Sequence, residues 1–122
     1  MVLLNYVNRH DIIEAMSRFV HPSIEDITLT GVLAALADPF RLQIVQTMLS
    51  KEACMSCTEA APCPNLAKST LSHHFRILRE AGIIRTSKKG VENRNIVRIE
   101  DLNARFPELL ETILKFAHEN SH

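Results

Sequence analysis

The chain has 122 residues, enough for one domain with a modest core, and its 46% apolar and 23% charged residues fit an ordinary globular protein. No apolar run approaches the roughly 18 residues that a membrane helix needs, and polar residues from Asn5 to Asp11 break up any secretory leader, so a cytoplasmic protein without a membrane partner is expected. A formal net charge of zero argues, by itself, against a nucleic-acid binder.

Residues 1–20 read as an amphipathic N-terminal helical extension, with Ile12, Ile13, Met16 and Phe19 at helical spacing. His21-Pro22 ends it, because the residue before a proline is steered out of the α region. Ser23 is placed to cap a short turn. Leu29, Val32, Leu33 and Leu36 predict a helix running to Ala37. Asp38-Pro39 opens the next one: the carboxylate caps it, and proline loses nothing at the first helical position. Leu42, Ile44, Val45, Met48 and Leu49 then give a strongly buried helix to about Ser50.

Residues 51–67 contain two prolines and no clear period, and read as a loop with one short helix around Thr58 to Ala61. Periodicity returns over 68–80, where Leu71, Phe75 and Leu78 face inward and Gly82 follows as the natural C′ residue. Ile83 to Lys88 and Arg94 to Glu100 predict two strands around a hairpin turn at 89–93. Asp101 is expected to cap a single final helix with an apolar stripe of Phe106, Leu109, Leu110, Ile113, Leu114 and Phe116. That stripe and the one on 12–19 are wide for so small a protein. A twin subunit packed on the terminal helices would bury them; the alternative is a monomer that folds both back on itself.

Helix, helix, short helix, helix and hairpin is the order of a winged helix-turn-helix. The fold class is therefore mainly α with a β-hairpin wing (α+β), occupying residues 21–122 and ending in a dimerisation helix. In that arrangement the helix from Ser69 to Glu80 enters the major groove. Opposite its apolar stripe stand Ser69, Thr70, Ser72, His73 and Arg76, with Lys68 at its start. Short hydroxyls allow close approach to bases, and an arginine can bridge guanine O6/N7 or a phosphate. Lys88, Lys89, Asn93 and Arg94 at the hairpin tip have the length and charge to clamp phosphates or reach the minor groove.

Charge segregation removes the objection from net charge. Between Asn65 and Arg98 eight basic residues face two acidic ones, a local +6, while the rest of the chain carries −6. A solvated charged face is the bland alternative; a phosphate-binding face is the sharper one.

Three stretches make the likeness to a known family specific: ALADPFRLQIV (35–45), STLSHHFRILREAGII (69–84) and SKKGVENRNIVRI (87–99). From about His21 to Leu110 the chain resembles the ArsR/SmtB family of winged-helix repressors. The resemblance implies a homodimer that binds a palindromic double-stranded DNA operator and leaves it when an inducer arrives. It also places His73 and His74 within the DNA-reading motif, away from metal binding.

Cys54, Cys57 and Cys63 all fall within ten residues, spaced C-x2-C-x5-C. A buried cysteine is a small hydrophobe, but Pro62, Pro64 and polar neighbours surround these. In the resembled family, thiophilic-metal sensors carry a Cys-x-Cys pair before the recognition helix. Here the pair is one residue wider and a third thiol is added. Three thiolates suit As(III), Sb(III) or a soft divalent ion. Oxidation or alkylation competes, since a thiolate near Lys51 and a helix start is reactive and a neighbouring thiol can close a disulfide. The expectation is a thiol cluster that senses electrophiles or oxidants, with the metal(loid) sensor as alternative and no cofactor required. The family's other metal site would use Asp101, but Asn103 stands where a histidine belongs, and His118 and His122 sit at the chain end.

Two further classes stay open. One is a protein-interaction module whose winged helix no longer binds DNA. The other is an enzyme with Cys57 as nucleophile, disfavoured because no base or Gly-rich loop accompanies it.

Overall fold

Capping chemistry sets the corners of the molecule. The structure, a computed structural model, describes residues 19–51 and 66–119. After a short 3-10 turn at Ile24–Asp26, helix α1 (Leu29–Leu36) starts at Thr28, whose hydroxyl accepts the Gly31 N–H at 3.0 Å. Helix α2 (Pro39–Lys51) starts as expected at Asp38, whose Oδ1 accepts the N–H groups of Phe40 and Arg41 at 2.8 and 3.2 Å. Such a cap contributes about 1 kcal/mol.

Helix α3 (Lys68–Glu80) ends in a Schellman motif. Gly82 N–H bonds to the Arg79 carbonyl and Ile83 N–H to the Leu78 carbonyl, both at 3.0 Å. Gly82 has φ +85°, and a Cβ there would lie 2.5 Å from Ile27 Cγ1, so both backbone and packing require glycine. Strands β1 (Ile84–Lys89) and β2 (Glu92–Val97) pair antiparallel, from Ile84 opposite Val97 to Lys89 opposite Glu92. The turn is only Gly90-Val91, with Gly90 at φ +65°, as a two-residue type II′ hairpin demands.

The C-terminal third departs from the sequence reading. Strand β2 stops at Val97, and two helices follow, α4 (Ile99–Arg105) and α5 (Leu109–Glu119). Pro107 makes the break: it has no N–H to continue the ladder and pushes Phe106 to φ −136°, ψ 80°. Asp101 is not the cap. Arg98 stands at the N-cap position, and Asp101 lies in the first turn, where its Oδ2 accepts from Arg98 Nε at 3.0 Å.

One core joins the elements. Val32, Ala35 and Leu36 of α1 and Ile44, Val45 and Met48 of α2 meet Leu71, Phe75 and Leu78 of α3. Ile83, Ile84 and Val97 close it from the hairpin side, Leu102 and Leu110 from the C-terminal helices. Burying Phe75 or Leu78 contributes about 1.5–3 kcal/mol each. The expected apolar stripes are narrower in the fold. Leu29 and Leu33 are each 44% exposed, and Phe116 is 55% exposed, while Ile113 and Leu114 are only half-buried. Of the helical extension expected over 1–20, only Phe19 and Val20 are described, and they are not helical; the short helix expected around Thr58 to Ala61 lies outside the described residues.

Candidate nucleic-acid interface

Helix α3 is two-sided. Leu71, Phe75 and Leu78 are buried, whereas Lys68, Ser69, Thr70, Ser72, His73 and Arg76 are exposed on its other side. Ala67 at the N-cap has no side-chain acceptor to offer the first-turn N–H groups. Arg76 lies 3.6 Å from Glu80 with both side chains about two-thirds exposed, a pair that contributes little and exchanges readily for a stronger anion.

The two adjacent histidines separate. His73 is exposed with the reading residues, but His74 is buried and lies 6.0 Å, ring to ring, from Phe40. Arg41 Nη1 reaches His74 Nδ1 at 3.2 Å while its Nε donates to the Ala35 carbonyl at 2.6 Å. A guanidinium only donates, so His74 Nδ1 is the acceptor and its proton sits on Nε2. His74 thus ties α3 to α2 and does not share the exposed face.

The wing divides in the same way. Lys88 and Lys89 are exposed, Asn93 and Arg94 half-buried, and Arg94 pairs with Glu92 at 2.9 Å. Val91, at the tip, is 97% exposed. On the inner side, the Thr86 hydroxyl donates to Asn95 Oδ1 at 2.7 Å and accepts from Arg79 Nη1 at 3.3 Å. Arg79 therefore spans from α3 to the wing. Arg85, half exposed, lies 3.8 Å from Asp101.

Sequence reasoning missed the polar seam behind this surface. Arg98 is 6% exposed; its Nη1 donates to the Pro22 carbonyl at 2.8 Å and its Nη2 meets Asp101 Oδ2 at 3.0 Å. His21 Nε2 accepts the backbone N–H of Thr86 at 2.9 Å. Burial, and then the guanidinium charges of Arg85, Arg79 and Arg98, hold the His21 imidazole below its ordinary value, opposed by a backbone hydrogen bond with Phe19. The only hint in the sequence was polar Thr86 and Asn95 at positions where strand alternation points inward.

Cys54, Cys57, Cys63 and His122 lie outside the described residues. Among the described residues no group of three or more His, Cys, Asp or Glu side chains is placed to hold a metal ion. Among them, too, no helix is long and apolar enough to cross a membrane.

Comparison with known proteins agrees with this geometry. Residues 36–87 match the model of a helix-turn-helix domain family. The chain is 34% identical over 89 residues to the HTH-type transcriptional regulator YceK of Bacillus subtilis (strain 168), covering 73% of this chain and 89% of that one. An ArsR-like transcriptional regulator from Rhodococcus sp. RHA1 superposes with a TM-score of 0.54 at 23% identity, over 75% of this chain and 84% of that one. The transcriptional repressor BigR from Xylella fastidiosa gives 0.55 at 21%, over 89% and 95%. The sequence relationship places the chain among the helix-turn-helix transcriptional regulators, and its winged fold is that of the ArsR-type structures.

Proposed function

We propose that this regulator is a homodimeric repressor that binds a palindromic operator, reading bases with Ser69, Thr70, Ser72, His73 and Arg76 and holding phosphates with Lys68 and the wing residues Lys88, Lys89, Asn93 and Arg94. The observation that carries the reading is the exposed face of α3, with short hydroxyls and one arginine near a helix start whose N-cap residue is alanine; Lys88 and Lys89 of the wing are exposed as well. Hydroxyls admit a base edge at close range, and helix N–H groups favour an anion. The partly exposed apolar residues Leu29, Leu33 and Phe116 support a subunit interface, since such surface is otherwise left to water.

Cys54, Cys57 and Cys63 are the proposed sensor, and their modification by an electrophile or oxidant releases the operator. What supports this is their clustering in the segment that leads into α3. The same thiolates suit As(III) or another soft ion, which is the second reading.

The test begins with a duplex enriched from a random pool. The affinity of the chain for it should fall steeply with salt, and Lys88→Glu with Lys89→Glu should weaken it. A shallow salt slope together with tolerance of the double reversal would instead make the chain a protein-interaction module. Sedimentation gives the oligomeric state. Cys57→Ser should leave binding intact and block release by peroxide, a quinone or As(III); release unchanged in that variant sinks the sensor.

A further inference from the structure

Residues 19–22 lie across the seam between α3 and the wing and are fastened at three points. The Arg79 guanidinium of α3 sits over the Phe19 ring, 4.4 Å from its centroid. His21 Nε2 accepts the Thr86 N–H of β1 at 2.9 Å, and the Pro22 carbonyl accepts from Arg98, the residue between β2 and α4, at 2.8 Å. Thr86 is the hub. Its amide holds the strap while its hydroxyl bonds both Asn95 of β2 and Arg79 of α3. Beside the direct Arg79–Thr86 bond, the His21 acceptor thus adds a second tie to the wing, through residues 19–22.

That acceptor is a titratable lone pair. Facing it are Arg79 from α3, Arg85 from β1 and Arg98 after β2, while Asp101 of α4 is occupied by Arg98 at 3.0 Å and lies 3.8 Å from Arg85. Arg76, Glu80 and Asp26 line the neighbouring cleft of about 630 Å³, and Asp26 accepts the Ser23 hydroxyl. A proton taken from solvent by Nε2 converts the acceptor into a donor facing another donor, and adds a fourth cation among three guanidiniums.

We propose that His21 is a positioning residue for the wing: its neutral imidazole clasps Thr86, and its protonation opens the clasp, freeing β1 from residues 19–22 and loosening the wing on α3. The lowered His21 value means that the clasp stays closed near neutrality and opens on acidification. The consequence for DNA rests on the groove reading proposed above; the clasp itself does not.

The test is a titration of the isotope-labelled full chain by NMR from pH 7.5 to 5. The Thr86 amide and the His21 ring should shift with one shared midpoint below 6.5. In His21→Gln, whose carbonyl accepts without binding a proton, the Thr86 signal should not move. A Thr86 amide that ignores the His21 transition, or that moves equally in the variant, overturns the clasp. On the enriched duplex, acidification should weaken wild-type binding roughly fivefold, within the usual range of coupling between two sites. It should leave His21→Gln level or tighter, because added positive charge alone favours a polyanion. Wild-type binding that tightens like the variant overturns the coupling to DNA. If no duplex binds at any pH, the groove reading fails, and the titration still decides the clasp.

Discussion

On one side of α3, Ser69, Thr70, Ser72, His73 and Arg76 are exposed; on the side toward the wing, Arg79 is engaged by Thr86 and Phe19. The two regions draw on the same basic stretch of sequence and use it differently. Arg98 and Arg79 hold the seam together, and Arg94 is paired with Glu92. Lys68, Lys88 and Lys89 stay on the surface, with no ion pair among the described residues. The local charge of +6 is thus partly internal scaffolding. A charge count overstates what DNA would meet, and the lysines carry more of the expected phosphate contact than the arginines.

Substitutions can separate the two regions. The largest effect is expected at Gly82, which joins them: Gly82→Val meets both the +85° backbone and Ile27, and should cost roughly 2–5 kcal/mol by thermal unfolding. Asn95→Ala strips a partner from the buried Thr86 hydroxyl and should cost about 1–3 kcal/mol of stability. Arg76→Ala should do the reverse, lowering affinity for the enriched duplex by about 1–3 kcal/mol while stability stays within about 0.5 kcal/mol. If Arg76→Ala unfolds the chain, or Asn95→Ala leaves stability untouched, the two-sided description of α3 is wrong. Smaller still, Lys88→Ala and Lys89→Ala should each reduce the log–log salt slope by about 1, with uniform weakening across sequences.

The pH dependence of stability gives the finest distinction. His21 is held below its ordinary 6.5 in the fold, so the unfolded chain binds that proton more readily. Its contribution is whole above 6.5 and is lost as pH falls through the lower folded value. The drop in thermal midpoint between pH 7.5 and 5.5 should therefore be larger in the wild type than in His21→Gln. An equal drop in both would leave the seam without its pH sensitivity.

Much of the fold was legible because its signals are local. Asp38-Pro39, the Leu71/Phe75/Leu78 stripe and Gly82 each specify a cap, a face or a stop within a few residues. The C-terminal break rests on Pro107, which cannot continue a helix, inside an apolar stripe whose period alone reads as one helix. The hairpin turn expected over 89–93 was too long: a two-residue turn at Gly90-Val91 lets Lys89 pair with Glu92 and Lys88 with Asn93.

By itself, then, the sequence determined the described elements as far as the hairpin, the two-sided helix α3 with its exposed hydroxyls and arginine, and the family resemblance. It could not divide surface lysines from seam arginines, because both are long charged side chains and only the packing decides which are covered. Nor could it pair His21 with Thr86, which are 65 residues apart. Those assignments depend on which side chains the core presses together, and burial made the difference: a polar group shut away from water must find a partner, however far along the chain that partner lies.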